Sequence, residues 1–332
     1  MIWSPLHARL HSHLKATELL PQRTKILMAI SGGQDSLCLG RLLLDLCVHW
    51  EWSLAIAHCH HGWSGDDLIA SQVECLAEQW QLPFYLCRAT PQLPETENAA
   101  RQWRYRTLTD LAQEYRIPFI VTGHTQSDRA ETLIYNLVRG TGTVGLGSLT
   151  AQRPLDAKVT LVRPLLNMTR QETGDFCQKF QLPVSLDPYN QQLRFKRNQI
   201  RQQTLPHLRQ LNRQADKHLA QTALILQAEN DYLEAIAQQH LEQALSSDNH
   251  LQRFPLQSLH IALQRRIIRQ FLQRILPQMP TFSHIIAVTQ LISGANRDCV
   301  STLPGSIQLR VEGEWIISES TASAKPCPSE NN

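Results

Sequence analysis

Four times between residues 25 and 138 the chain passes from a short apolar run to a segment with helically spaced apolar residues. The runs lie at residues 25–30, 53–58, 83–87 and 118–122, and the helical segments at 36–50, 66–80, 97–115 and 128–138. In the first helical segment Leu39, Leu42, Leu43 and Leu46 share one face. Strands separated by helices pair in parallel, because each crossover must carry the chain back before the next strand begins. Helices then cover both faces, which accounts for strands that are almost wholly apolar. The expected fold is therefore α/β, a Rossmann-like doubly wound parallel sheet. Ligands of such sheets sit beyond the carboxyl ends of the strands. Residues 31–36 and the Gly123-His124 pair each follow a strand, so both are expected at one crevice.

Further along, residues 159–163 suggest another strand, 169–180 a helix, and the glycine-rich 139–149 a loop. From about residue 204 the character changes. Residues 205–244 are Gln-rich with helical spacing, 260–275 and 282–291 are further helices, and 300–317 alternate around Pro304-Gly305 and Glu312-Gly313 like a strand pair. This predicts a first domain over 1–208, a smaller, mainly helical domain with a small β element over 209–318, and a disordered Ser/Pro/Glu-rich tail over 319–332. No apolar run reaches the ~18 residues of a membrane helix. The first twenty residues lack a secretory h-region, so a cytoplasmic or stromal location and no membrane partner are expected. The 8 cysteines contain no CxxC pair, which argues against zinc ribbons and cysteine-ligated clusters. The His58-Cys59-His60-His61 run could suggest a metal, but neighbouring side chains on a strand point to opposite faces.

Ser31, Gly32, Gly33, Gln34, Asp35 and Ser36 lie between a strand and a helix. Glycines let backbone approach a ligand closely, and the free amides and dipole at the helix start favour an anion. The loop has no Gly-Lys-Ser/Thr, so it is not the phosphate loop of enzymes that cut the β–γ bond. The hexapeptide resembles the SGGxDS loop of the PP-loop ATP pyrophosphatases, which implies ATP cleavage to AMP and pyrophosphate. A carboxylate beside phosphates needs a cation, so Asp35 is read as a Mg²⁺ partner.

Other segments narrow the resemblance. Residues 57–62 (AHCHHG) are similar to H-x-N-H-G, with His58, His61 and Gly62 matching and His60 in place of asparagine. Glu97, Arg101, Arg104 and Tyr105 fit E-x-x-x-R-x-x-R-Y; on a helix Glu97 and the two arginines share a face, so the carboxylate could orient a guanidinium. His124, Asp128, Glu131 and Thr132 fit H-x-x-D-D-Q-x-E-T, but Ser127 replaces an aspartate and Arg129 the glutamine. Arg139, Gly140 and Gly142 fit R-G-x-G, and residues 163–166 fit R-P-L-L. Asp187, Asn190, Arg197, Asn198, Ile200 and Arg201 resemble D-x-S-N…R-N-x-I-R, with Tyr189 in place of serine. In this order, over residues 25–212, the set resembles the tRNA(Ile)-lysidine synthetase family.

The resemblance implies an enzyme that joins free L-lysine to C2 of the wobble cytidine of a CAU-anticodon tRNA(Ile), through an O2-adenylate. It implies ATP contacts by the 31–36 loop, His58, His61, Arg101 and Gly123. Asp128 and Glu131 would hold lysine, and Asp35, His124, Arg197 and Arg201 would join them in catalysis. Arg194, Lys196, Arg209, Arg213 and Lys217, opposed only by Asp216 in that stretch, form a basic run suited to tRNA phosphates. Arg265, Arg266, Arg269 and Arg274 form a second run, equally compatible with a solvated helix face. A homodimer is compatible with the sequence but not required by it. The alternatives are another PP-loop tRNA enzyme, such as a thiolase, and a non-catalytic tRNA-binding protein. Cys38, Cys47, Cys59 and Cys75 form no set of the thiolase kind, and Asp35, Asp128 and Glu131 are all retained.

Overall fold

The computed structural model describes residues 3–185, 189 and 192–320. A six-stranded sheet runs in the order β3 (Phe84–Arg88), β2 (Ser53–His60), β1 (Lys25–Ala29), β4 (Phe119–Thr122), β6 (Thr160–Val162) and β5 (Gln152–Pro154). The first five are parallel, and β5 closes the edge antiparallel to β6. Pro154 is tolerated there because an edge strand leaves some backbone groups unpaired. Strand alternation splits the apolar residues between two cores. Ile26 and Met28 enter one, while Leu27, Ala55, Ile120 and Leu161 enter the other.

The sheet is flanked by α2 (Gln34–Trp50), α3 (Asp66–Gln79), α4 (Glu97–Glu114), α5 (Gln126–Val138) and α7 (Arg170–Lys179), the first three being crossovers between parallel strands. The glycine-rich stretch expected as loop contains a single helical turn, α6 (Thr143–Leu146). Helix α1 (Pro5–Thr17) was not anticipated, although its signals are present. Ser4 caps it, and Pro5 sits in the first turn, where a missing N–H costs nothing. It is pinned by buried His7 to Asp45 at 3.0 Å and by Arg9 to Glu172 at 2.7 and 2.9 Å.

The chain divides into two units, Met1–Gln227 and Ala228–Asn332. The sequence-based boundary at residue 208 falls inside α9 (Leu205–Leu211). Residues expected as one helix from 205 to 244 form two, α9 and α10 (Ala215–Ala244), because Asn212 is extended (φ −149°). Before them come α8 (Lys196–Gln199) and a π turn over Ile200–Thr204. The second unit has its own core. In it Ala237 and Leu241, together with Ile268 and Phe271 of α12 (Ile261–Ile275), cluster with Val288 of α13 (Phe282–Gln290). A short helix α11 (Phe254–Gln257) precedes α12. The expected strand pair is part of an antiparallel sheet in the order β7 (Leu251–Gln252), β10 (Trp315–Ser320), β9 (Ile307–Glu312), β8 (Cys299–Leu303). Strand β10 extends to Ser320; residues 321–332 of the expected tail lie outside the described residues.

The Arg9–Glu172 pair has a measurable signature. Hydrogen bonds from Arg9, and from Thr169 beyond it, lower the Glu172 carboxyl from its ordinary 4.5 to about 2. A depressed folded-state pKa adds stability above the unfolded value, which is lost as pH falls through the folded value. Arg9→Ala is therefore expected to flatten the fall in unfolding free energy between pH 4.5 and about 2 while leaving its shape above pH 5 unchanged. Urea unfolding at several pH values reads this directly.

Candidate active site

The site begins with a register. Ala29, the last residue of β1, lies opposite Ala57 of β2 and Thr122 of β4. Strand order reverses between β1 and β4, and a crevice opens at such a point. A cleft of about 290 Å³ opens there, near the low end of the about 300–1,000 Å³ of small-molecule sites. Its lining includes Ser31, Gly33, Gln34, Asp35, Ser36, His61, Gly123, His124, Asp128 and Arg201. The two loops expected at one crevice do meet.

The anion loop is held from within. The Ser31 N–H donates to the Ser36 hydroxyl at 3.1 Å, which donates to the Gly33 carbonyl at 2.8 Å. Gly33 caps α2 with no side-chain bond, so the first amides of that helix are left for a ligand. Gly32 takes φ +82°, which L side chains rarely adopt. It does not itself line the cleft.

Asp35 is not free for a cation. Arg170 donates to it at 3.0 Å, and the Thr173 hydroxyl donates as well. Burial raises its pKa, with Arg170 opposing and Asp128 adding to the rise. Arg170 also lines the cleft. Sequence reading missed it because the Thr169–Glu172 capping box marks only a helix start.

Asp128 and Glu131 share one helical face, as their spacing implies, but both are committed to Arg201. Its guanidinium grips Glu131 with two bonds of 2.7 and 2.8 Å and reaches Asp128 at 3.3 Å. Asp128 also accepts the Thr125 N–H and hydroxyl, closing a capping box. Glu131 is only 2% exposed and sits behind Arg201, outside the lining. Burial raises the Glu131 pKa; for Asp128 burial is outweighed by His124, Arg201 and the Thr125 bonds, and its pKa is lowered. The π turn carries Arg201, as π insertions at functional sites often do.

His124 accepts or donates through Nδ1 to the Thr122 hydroxyl at 2.9 Å. Burial, reinforced by Arg163, Arg101 and Arg197 against Asp128, drives its pKa to about 3. An imidazole held so low is neutral at pH 7 and a feeble proton acceptor.

Three other expected site residues, His58, Arg101 and Arg197, lie outside the cleft lining. On β2 the alternation sends Ala57, Cys59 and His61 to the cleft, whereas His58 is buried with Nδ1 on the Ile30 carbonyl at 2.8 Å. Glu97 binds Arg197 at 2.8 Å and not Arg101. Arg101 and Arg197 lie outside the lining; Arg101 stacks over Tyr105 at 5.0 Å, while Arg104 and Tyr105 line the cleft. The departures at 127 and 129 have internal uses. The Ser127 hydroxyl accepts the Arg170 N–H at 3.4 Å, and buried Arg129 donates to the Leu149 carbonyl at 3.2 Å. Asp187 and Asn190 lie outside the described residues.

In the basic run, Lys196, Arg213 and Lys217 are exposed. Arg194 pairs with Glu95 at 2.5 Å and Arg209 with Asp216 at 2.7 Å. In the second run, Arg266 and Arg269 both hold Glu234, which leaves Arg265 and Arg274 as its exposed members.

Comparisons with known proteins agree with this geometry. The PP-loop domain model matches residues 6–208, and the TilS substrate binding domain model matches 251–312. A tRNA(Ile)-lysidine synthase of Nostoc sp. is 48% identical, covering 96% of this chain and 97% of its own length. One from a Synechococcus sp. is 49% identical, covering 95% of this chain and 96% of its own. The solved U34-tRNA thiolase NcsA of Methanococcus maripaludis superposes with a TM-score of 0.57 at 17% identity, over 67% of this chain and 78% of its own, a likeness of fold alone.

Gly123 makes the meeting of loops testable. A Cβ there would lie 2.6 Å from the Asp35 carbonyl carbon and oxygen and 2.7 Å from the Ser36 nitrogen. Gly123→Ala is expected to push the start of α2 out of place, costing about 1–3 kcal/mol of stability. ATP titration should show weakened binding in the same variant, and unchanged affinity would mean the loops tolerate separation.

Proposed function

The chain belongs to the tRNA(Ile)-lysidine synthase family, and from that membership we propose how its own residues carry the reaction. It is an ATP-dependent ligase that forms lysidine at the wobble cytidine of tRNA(Ile). Cytosine O2 attacks the α-phosphorus of ATP, the bond to the β-phosphate bridging oxygen breaks, and pyrophosphate leaves. The lysine ε-nitrogen then attacks C2, the C2–O2 bond breaks, AMP leaves, and the nitrogen gives up a proton. Reading thereby shifts from AUG to AUA.

One observation carries this reading: a lysine-free anion loop meets Asp128 in a single cleft, with Arg201 linking Asp128 to buried Glu131 behind it. The amides at the start of α2, with Ser31 and Ser36, hold the leaving pyrophosphate, and fixed donors of this kind stabilise charge without reorganising. Arg170 is available to phosphate once Asp35 is otherwise engaged. Asp35 would hold magnesium as a hard oxygen donor, exchanging its Arg170 partner for the ion. Bound there, the ion would neutralise phosphate charge.

Substrate lysine is cationic, and Asp128 and Glu131 are its counter-charges. Both are now satisfied by Arg201, so lysine binding exchanges one cation for another at buried acids. The proton leaving lysine goes to Glu131, whose carboxyl is raised by burial, and not to His124, whose imidazole burial lowers. Neutral His124 instead serves as a hydrogen-bonding partner near the reacting groups. Lys196, Arg213 and Lys217, with Arg194 and Arg209 after exchange of their acid partners, contact tRNA phosphates. Among the described residues no helix is long and apolar enough to cross a membrane, and the reaction is assigned to the cytoplasm, where tRNA, ATP and lysine meet.

AMP release is expected only when lysine and a CAU-anticodon tRNA are both present; turnover indifferent to lysine or to the anticodon would remove the assignment. Glu131→Gln is expected to raise the KM for lysine about 10–100-fold, the scale of one charged hydrogen bond, with little change in ATP affinity. Steady-state kinetics with lysine and ATP varied separately distinguishes the two effects.

A further inference from the structure

The sequence offered no cysteine pair, yet the sheet builds one. Cys59 of β2 and Cys87 of β3 are register partners on adjacent parallel strands. Register partners of a parallel pair present their side chains on the same face. The two thiols perturb one another, Cys59 being raised and Cys87 lowered from an ordinary thiol. Cys59 lines the nucleotide cleft, two residues before His61, which also lines it and meets Arg104 at 3.4 Å. Both cysteines are half-buried free thiols. Strand neighbours lie about 4.7–4.9 Å apart, inside the about 4.4–6.8 Å window of Cα separations that a disulfide spans.

We propose that Cys59 and Cys87 form a reversible redox site, at which a peroxide-class oxidant closes a disulfide across β2 and β3 and shuts down nucleotide binding. The two thiols are chemically unequal. The Cys59 S–H donates to the Cys87 sulfur, which raises Cys59 and lowers Cys87 relative to an ordinary thiol. Cys87 is therefore the attacking thiolate. Its sulfur attacks the peroxide oxygen, the O–O bond breaks, and the departing hydroxide takes a proton to become water, leaving a sulfenic acid on Cys87. The Cys59 sulfur then displaces the sulfenic oxygen as a second water, losing its own proton, and the S–S bond forms. A dithiol reductant restores both thiols through a mixed disulfide.

Closure matters because of where it lies. The bond holds the two sulfurs at about 2.05 Å, which pulls the carboxyl end of β2 toward β3. His61 and the wall at Ala57 and Cys59 move with it. The other close pair of thiols lacks these properties. Cys38 and Cys177 are buried in the main core, and burial raises both, Cys177 to about 12. Buried thiols of this kind are inert.

The test uses the full chain, treated with hydrogen peroxide and quenched with catalase. Peptide mapping of the wild type should find residues 59 and 87 joined. ATP affinity should fall about tenfold or more, equivalent to about 1.4 kcal/mol, and return after dithiothreitol. Cys87→Ser should bind ATP normally and resist the treatment, whereas Cys75→Ser, which removes an exposed thiol, should respond like the wild type. Failure to find the 59–87 link in wild-type peptides would overturn the proposal whether or not the variant folds. So would a link that forms while ATP affinity stays unchanged. Neither readout depends on which RNA or amine the enzyme uses, so the lysidine reading can fail without deciding this one.

Discussion

The close approach of Gly123 to the carbonyl of Asp35 is the contact on which the site depends. It follows from parallel pairing of β1 with β4, which brings Ala29 and Thr122 level. A side chain at 123 would hold the two loops apart by more than an ångström of van der Waals distance. With glycine there, the anion loop after β1 and the helix carrying Asp128 and Glu131 share one cleft. Neither loop alone can join nucleotide and amine. The sheet is thus a device for setting the separation of two loops that lie nearly 90 residues apart in sequence.

Much of this was legible in the sequence, because it rests on local periodicity. Each parallel strand of the main sheet, though not the short antiparallel edge strand β5, appears in the pattern of apolar residues, and a glycine-bearing loop between strand and helix marks an anion site without reference to tertiary structure. The order of motifs carried the family. What the sequence could not show was which partner each charged group would choose. Glu97 lies on the same helical face as Arg101 yet binds Arg197, a hundred residues away. Asp35 binds Arg170, whose only local signal is a helix cap. Such choices depend on burial and on competing charges, which no short window contains.

Alternation on β2, which argues against a metal at residues 58–61, also separates the two histidines matched by the family motif. The same parity that sends His61 to the cleft sends His58 to the opposite face, where it bonds Ile30. A motif position records that a residue type recurs; it does not say whether the residue meets ligand or holds the strand that does. Cys59 shows the converse. It was set aside because no other cysteine stood near it in sequence, and the register of β2 with β3 supplied its neighbour.

The charges of the cleft form two internal pairs, Asp35 with Arg170 and Asp128 and Glu131 with Arg201. A buried charge left alone is far more costly than a paired one. A cleft that must accept a polyanion and a cation therefore cannot leave its recognition groups uncompensated between turnovers. Under the proposed reaction each substrate would be offered one half of an existing pair: phosphate would compete with Asp35 for Arg170, and the lysine ammonium with Arg201 for Asp128 and Glu131. Displacing an internal partner weakens each binding step relative to a pre-emptied site, but it rewards the correct charge and penalises a neutral analogue, which would displace a partner and satisfy nothing. The exchange also links the two halves. Asp35 and Asp128 feel one another's charge, so filling one side alters the electrostatic environment of the other.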